Sequence, residues 1–182
     1  CCINSKISLG PLINFQALVY PSTHMGTHYP SKDKYDGYIL SKKLMNWFEE
    51  KYIDKIQLND WRAAPMLYDD LSNLPDSLIV VAGCDPLKDE GITYGEALVK
   101  AGNSSETIIF DGQIHGFLTM GARIKDTENA KRIDKIVVEK VSKYLGPIVI
   151  TFAASLELNK IIFDPSAVFP YCPIINPNNH FT

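Results

Sequence analysis

Ser77-Leu-Ile-Val-Val-Ala-Gly-Cys-Asp85-Pro-Leu-Lys-Asp-Glu-Gly91 is the stretch on which the fold turns. Leu78 to Ala82 is an unbroken apolar run, the pattern of a strand buried on both faces of a parallel sheet. Gly83-Cys84-Asp85-Pro86 breaks that run as a turn. From Lys88 the chain becomes helical. Asp85 therefore lies just past the C-terminal end of a strand, where open α/β sheets gather their binding and catalytic groups. Thirty residues on, Thr107 to Phe110 reads as another strand, followed by Asp111-Gly-Gln-Ile-His115-Gly-Phe117. His115 thus also follows a strand end.

Working outward toward the N-terminus, residues 53–76 are irregular, punctuated by Pro65 and Pro75. Tyr38 to Tyr52 has helical period, with Leu40, Leu44, Trp47 and Phe48 on one face. That stripe is expected to be buried, as core or as a wall of a substrate pocket. Residues 21–37 read as loop. Ile13 to Tyr20 reads as a strand stopped by Pro21. Residues 1–12 show no pattern.

In the other direction, Tyr94, Leu98 and Ala101 form the buried stripe of the helix after Asp85, and Gly102 is its stop. A strand at 105–110 follows. A last helix is expected over 127–145, where Ala130, Ile133, Val137, Val141 and Tyr144 recur at steps of three and four. Strands alternating with helices predict an α/β fold with a doubly wound, mainly parallel sheet. Three strands are few for an independent sheet, so residues 1–146 are expected to be the later part of a larger α/β domain. Residues 147–182, with Pro147, Pro165, Pro170, Pro173 and Pro177, lack helical period and read as a tail outside it, with a strand conceivable at 148–154.

The 182 residues carry a net charge of −3 and no clustered Lys and Arg, so a nucleic-acid partner is not expected. No run reaches the roughly 18 apolar residues of a transmembrane helix. Cys1, Cys2, Cys84 and Cys172 form no Cys-x-x-Cys pair and the four histidines no His-Glu-x-x-His spacing, so neither a metal site nor a disulfide framework is expected.

An Asp on one strand end and a His on the next suit a hydrolytic triad, in which the histidine relays a proton and the carboxylate orients it. Each residue has a plainer reading. Asp85 before Pro86 is also a good helix N-cap with Pro at the first helical position. His115 could equally be an ordinary loop histidine.

The motifs Ala82-Gly-Cys-Asp85-Pro-Leu-Lys-Asp-Glu-Gly91 and Asp111-Gly-Gln-Ile-His115-Gly-Phe117 resemble the later half of the hormone-sensitive-lipase-like α/β-hydrolases. Ala17-Leu-Val-Tyr-Pro21, Asp36 to Phe48, Arg62-Ala-Ala-Pro65 and Leu71-Ser-Asn-Leu-Pro75 extend the likeness over roughly residues 10–145. The resemblance implies a carboxylic-ester hydrolase acting on a small-molecule ester with a Ser-Asp-His triad. Asp85 would be its acid and His115 its base, with no metal or organic cofactor.

Two family features are missing from these residues. No serine has the Gly-x-Ser-x-Gly flanking of the family's nucleophile, and the His-Gly-Gly-Gly oxyanion loop is absent. Both precede the strand ending at Tyr20 in the family, so they would lie before Cys1. Residues 1–182 alone are accordingly expected not to hydrolyse esters. Cys84 is a poor substitute nucleophile, because the turn directs neighbouring side chains apart. The strand at 13–20 would present an open edge, a route to self-association. The competing reading is a non-catalytic small-ligand-binding protein on the same fold, against which the retention of both Asp85 and His115 argues.

Overall fold

The computed structural model describes residues 2–10, 12–52 and 59–118, together with Arg132, Lys135, Ile136 and Glu139. Its elements in chain order are α1 (Cys2–Ile7), β1 (Phe15–Val19), α2 (Pro30–Lys34), α3 (Lys42–Tyr52), a 3-10 turn (Pro65–Leu67), β2 (Asp76–Cys84), α4 (Lys88–Lys100) and β3 (Ser105–Ile114).

The apolar run of the opening stretch forms β2, and its seven interior residues are all buried. It is the middle strand of a parallel sheet ordered β1-β2-β3. Side chains alternate across a strand, so β2 feeds two cores. Ile79 and Val81 point to one face and join Ile3, Leu71, Leu74, Tyr94 and Leu98. Leu78, Val80 and Ala82 point to the other and meet Phe110 and Phe117. Each fully buried Leu, Ile or Val contributes roughly 1.5–3 kcal/mol relative to exposure, which makes this strand the organising element of the fold.

α4 packs on the first of these faces through Tyr94 and Leu98, as the period of the sequence predicts. Burial pushes the Tyr94 hydroxyl up to about 12. Gly91 and Gly95 bring the helix axis close to the sheet. A Cβ at Gly91 would lie 2.8 Å from Val81 Cγ1, and one at Gly95 would collide with Thr107 Oγ1. Gly102, at φ +89, ends the helix as expected.

The structure corrects three expectations. The helix expected from Tyr38 starts at Lys42. Ile39 is left-handed at φ 68, and Ser41 Oγ accepts the Leu44 N–H at 3.1 Å, so Ser41 acts as the N-cap. The aromatic stripe is also not buried. Trp47 and Phe48 are half exposed, and Met45 is the residue that the helix buries, beside Leu40 and Leu87. A helical period locates an apolar face without saying what covers it. Finally, α1 occupies residues that show no pattern. Its anchor is Ile3 in the core and Lys6, whose Nζ donates to Asp70 Oδ2 and the Ser72 carbonyl, both at 2.7 Å.

The helix expected over 127–145 lies outside the described residues except at Arg132, Lys135, Ile136 and Glu139, which are helical. The tail at 147–182, its conceivable strand and Cys172 lie outside them altogether. Cys2 and Cys84 are free thiols. Among the described residues no helix is long and apolar enough to cross a membrane.

Candidate active site

The pairing of β2 with β3 brings the two candidate residues together. Ala82 pairs with Phe110, and the next registered pair is Cys84 with Ile114. β2 advances two residues over this interval and β3 four, so β3 bulges around Asp111, Gly112 and Gln113. Gly112 takes φ +73 in the bulge. Gly83 lies opposite, where a Cβ would come within 2.9 Å of Asp111 Cα. With residues 84 and 114 in register, residues 85 and 115 leave the sheet side by side. The strand expected at 105–110 therefore runs on to Ile114, and the step past the bulge aligns His115.

Asp85 is 1% exposed. Its two oxygens do different work. Oδ1 accepts the Leu87 N–H at 2.8 Å, and the Asp85 carbonyl accepts the Lys88 N–H at 3.0 Å, which shapes the turn into α4. Oδ2 lies 2.8 Å from His115 Nδ1. The cap reading of Asp85 is thus displaced: Leu87 holds the N-cap position of α4 and Lys88 begins it. The Asp85 side chain still satisfies a backbone donor just ahead of the helix. Opposite a carboxylate, Nδ1 is the donor nitrogen of a neutral His115 ring, and the lone pair of that ring is then on Nε2. The His115 side chain is about a quarter exposed, so solvent or a reactant can reach the ring.

A third residue, Tyr20, closes on the pair. Its ring centroid lies 4.8 Å from that of His115 and 6.0 Å from that of Phe117. Tyr20 is left-handed at φ 38 and precedes Pro21. That conformation is unfavourable for a bulky residue and costs on the order of 1–3 kcal/mol. The Tyr20 N–H to Val80 carbonyl bond of 2.6 Å helps to hold it.

Behind Tyr20 lies a buried charged network. Glu90, fully buried on the first turn of α4, accepts the Thr23 N–H at 2.8 Å and the His24 N–H at 3.4 Å through Oε1. Thr23 Oγ1 donates to the Glu90 carbonyl at 3.1 Å. Lys32 Nζ sits 2.8 Å from Oε2, as a charge contact without the alignment of a hydrogen bond. His24 Nδ1 is 2.7 Å from the Tyr29 hydroxyl, and burial lowers the pKa of His24 and raises that of Tyr29. Ser31 adds a second tie, donating from its N–H to Asp89 Oδ2 at 2.8 Å and from Oγ to the Pro86 carbonyl at 2.7 Å.

Asp85 and His115 stand out in the sequence through their motifs, whereas Glu90 and Tyr20 do not. A signal for Glu90 is present: it stands four residues before Tyr94 and eight before Leu98, on the buried stripe. Tyr20 carries no comparable signal, because a strand end before proline does not reveal a left-handed backbone.

A separate open cleft is lined by Gly26, His28, Lys32, Asp33, Lys42 and Glu49 among others, and contains neither Asp85 nor His115. Its charges largely pair with one another, Lys42 with Asp33 and His28 with Asp33. The Asp85–His115 pair, a carboxylate and an imidazole in contact at adjacent strand ends, is the better-founded candidate site. Among the described residues no cluster of three or more His, Cys, Asp or Glu could hold a metal ion.

The chain is similar to known proteins over much of its length. A profile of the alpha/beta hydrolase fold family matches residues 1–119. The chain is 31% identical over 135 residues to an ethyl acetate hydrolase of Pseudomonas putida, covering 71% of this chain and 41% of that protein. It is 40% identical over 112 residues to the esterase LipI of Mycobacterium tuberculosis, covering 60% of this chain and 35% of the relative. Among solved structures, a hyperthermophilic esterase from Pyrobaculum calidifontis superposes with a TM-score of 0.67 at 31% identity, covering 72% of this chain and 45% of that one. The chain thus spans less than half the length of these relatives.

Proposed function

The chain belongs to the α/β-hydrolase fold family, in its esterase- and lipase-type group resembling hormone-sensitive lipase, and on that premise we propose that it supplies the acid and base of a serine carboxylic-ester hydrolase. The observation that carries the proposal is the 2.8 Å contact between Asp85 Oδ2 and His115 Nδ1 at adjacent strand ends. Its substrate class is a small, neutral ester, in keeping with the ester hydrolases it resembles.

In this reading Asp85 fixes His115 with the proton on Nδ1 and the Nε2 lone pair outward. Nε2 takes the proton of a serine hydroxyl as its oxygen attacks the ester carbonyl. It returns that proton to the departing alcohol, leaving an acyl-serine that water cleaves by the same relay. Asp85 stabilises the imidazolium formed in between and is not itself protonated. The reaction needs no metal or redox group. Residues 1–146 then form the acid–base part of the hydrolase domain, with 147–182 outside it.

The serine is not among these residues, since no Gly-x-Ser-x-Gly occurs in the 182. A serine hydrolase stripped of a triad member keeps only about 10³–10⁴ over water, and even that depends on an oxyanion hole. With purified residues 1–182 and p-nitrophenyl acetate, the expected release of nitrophenol is no faster than from His115→Ala. Turnover abolished by Asp85→Asn or His115→Ala would show that the 182 residues contain a nucleophile of their own. The paired dyad favours a hydrolase over a ligand-binding protein, which needs no oriented base.

A further inference from the structure

A hydrogen bond to Asp85 fixes one atom of the His115 ring. It leaves the imidazole free to rock about that contact, and a general base that rocks presents Nε2 in varying directions. A second restraint, on the body of the ring, would remove this freedom. Tyr20 is placed to provide it, with its ring 4.8 Å from the imidazole and tilted by 59°. It also rests edge-on against Phe117, which packs on Phe110 of β3.

The backbone at Tyr20 is arranged for this contact at a cost. A bulky residue before proline avoids φ 38 unless its surroundings impose that conformation. They are found on α4. Pro21 lies over Gly91, its Cδ 3.7 Å from where a Cβ of that residue would stand. Two residues further, Thr23 is bonded to Glu90 by both its N–H and its hydroxyl, at 2.8 and 3.1 Å. Lys32 faces the remaining carboxylate oxygen, so the buried charge is compensated without releasing its grip on the segment. α4 begins three residues after Asp85. One helix N-terminus thus fixes both the acid that binds His115 and the segment that carries Tyr20.

We propose that Tyr20 is a positioning residue for His115, held against the imidazole ring by the Thr23–Glu90 lock. The inference rests on the reading of Asp85 and His115 as an acid–base pair. A role in packing alone would make Tyr20 matter for stability and not for the state of the His115 ring.

Nitrogen-15-labelled residues 1–182 test this, with the His115 ring signals assigned by their loss in His115→Gln. At a pH where imidazole is neutral, long-range proton–nitrogen spectra report which ring nitrogen carries the proton and how fast it exchanges. In the native chain and in Tyr20→Phe the proton is expected on Nδ1 and slow to exchange. In Tyr20→Leu its exchange is expected to rise about fivefold, the scale of one aromatic pair, with a growing Nε2–H fraction. A folded Tyr20→Leu with native exchange and native tautomer overturns the proposal. So does an equal loss in Tyr20→Phe, which would make the hydroxyl the agent. If Tyr20→Leu does not fold, Glu90→Ala, which takes away the acceptor of the Thr23 N–H, asks the same question from the other end of the lock: faster exchange supports it and native exchange overturns it. Asp85→Asn separates the premise from the proposal. If it leaves the Nδ1–H signal unchanged, the acid–base pair itself is refuted, whatever Tyr20 does.

Discussion

Asp85 illustrates how one carboxylate serves both structure and chemistry. Oδ1 is committed to the Leu87 N–H and Oδ2 to His115. The two substitutions that remove its charge should therefore differ. Asparagine keeps an oxygen for Leu87, so Asp85→Asn is expected to cost less than about 1 kcal/mol of stability while losing the orientation of His115. Asp85→Ala leaves a buried donor unsatisfied and is expected to cost about 1–3 kcal/mol. Urea unfolding midpoints of the two variants measure the difference, and equal midpoints would contradict the division of labour.

At the scale of elements, the close approach of α4 to the sheet decides how the helix lines up behind Asp85. Glycine to alanine inside a helix ordinarily stabilises by about 0.5–1 kcal/mol. Gly95→Ala should do the opposite here, because the new methyl meets Thr107 Oγ1 and lies 3.1 Å from Ile79 Cδ1. The expected change is a loss of about 1–3 kcal/mol, read from thermal or urea unfolding. Stabilisation by Gly95→Ala would show that the helix stands further off.

What the sequence reveals of these elements follows from the range of the interactions that make them. β2 and α4 are legible because their signals are local: an apolar run, a Gly-Cys-Asp-Pro break, and Tyr94 and Leu98 four residues apart. α1 is not legible, since one buried Ile3 and a lysine bonded across 64 residues leave no period. α3 is legible as a helix but not in its burial, because coverage of Trp47 and Phe48 depends on distant chain. At the site, Asp85 and His115 are visible through their motifs. The bulge that aligns them is not, because it is a property of register between two strands. Glu90 is hidden for a similar reason: its partners Thr23 and Lys32 lie about sixty residues upstream.

For the whole molecule, β1 is an edge strand, paired with β2 on one side and with no other strand among the described residues. An unpaired strand edge invites another chain. We expect residues 1–182 to self-associate in sedimentation velocity at increasing concentration, and a monodisperse monomer throughout would count against it. The same edge bears on chemistry, since β1 runs into Tyr20 beside His115. A strand added there would bring its own C-terminal end toward the dyad. The most direct test of the account joins a segment bearing a Gly-x-Ser-x-Gly elbow ahead of Cys1 and measures p-nitrophenyl ester hydrolysis by that protein and by its His115→Ala form. The expected turnover falls by about 10³-fold or more when His115 is removed. Turnover that survives His115→Ala unchanged, or a folded protein with the elbow in place and no turnover, would contradict it.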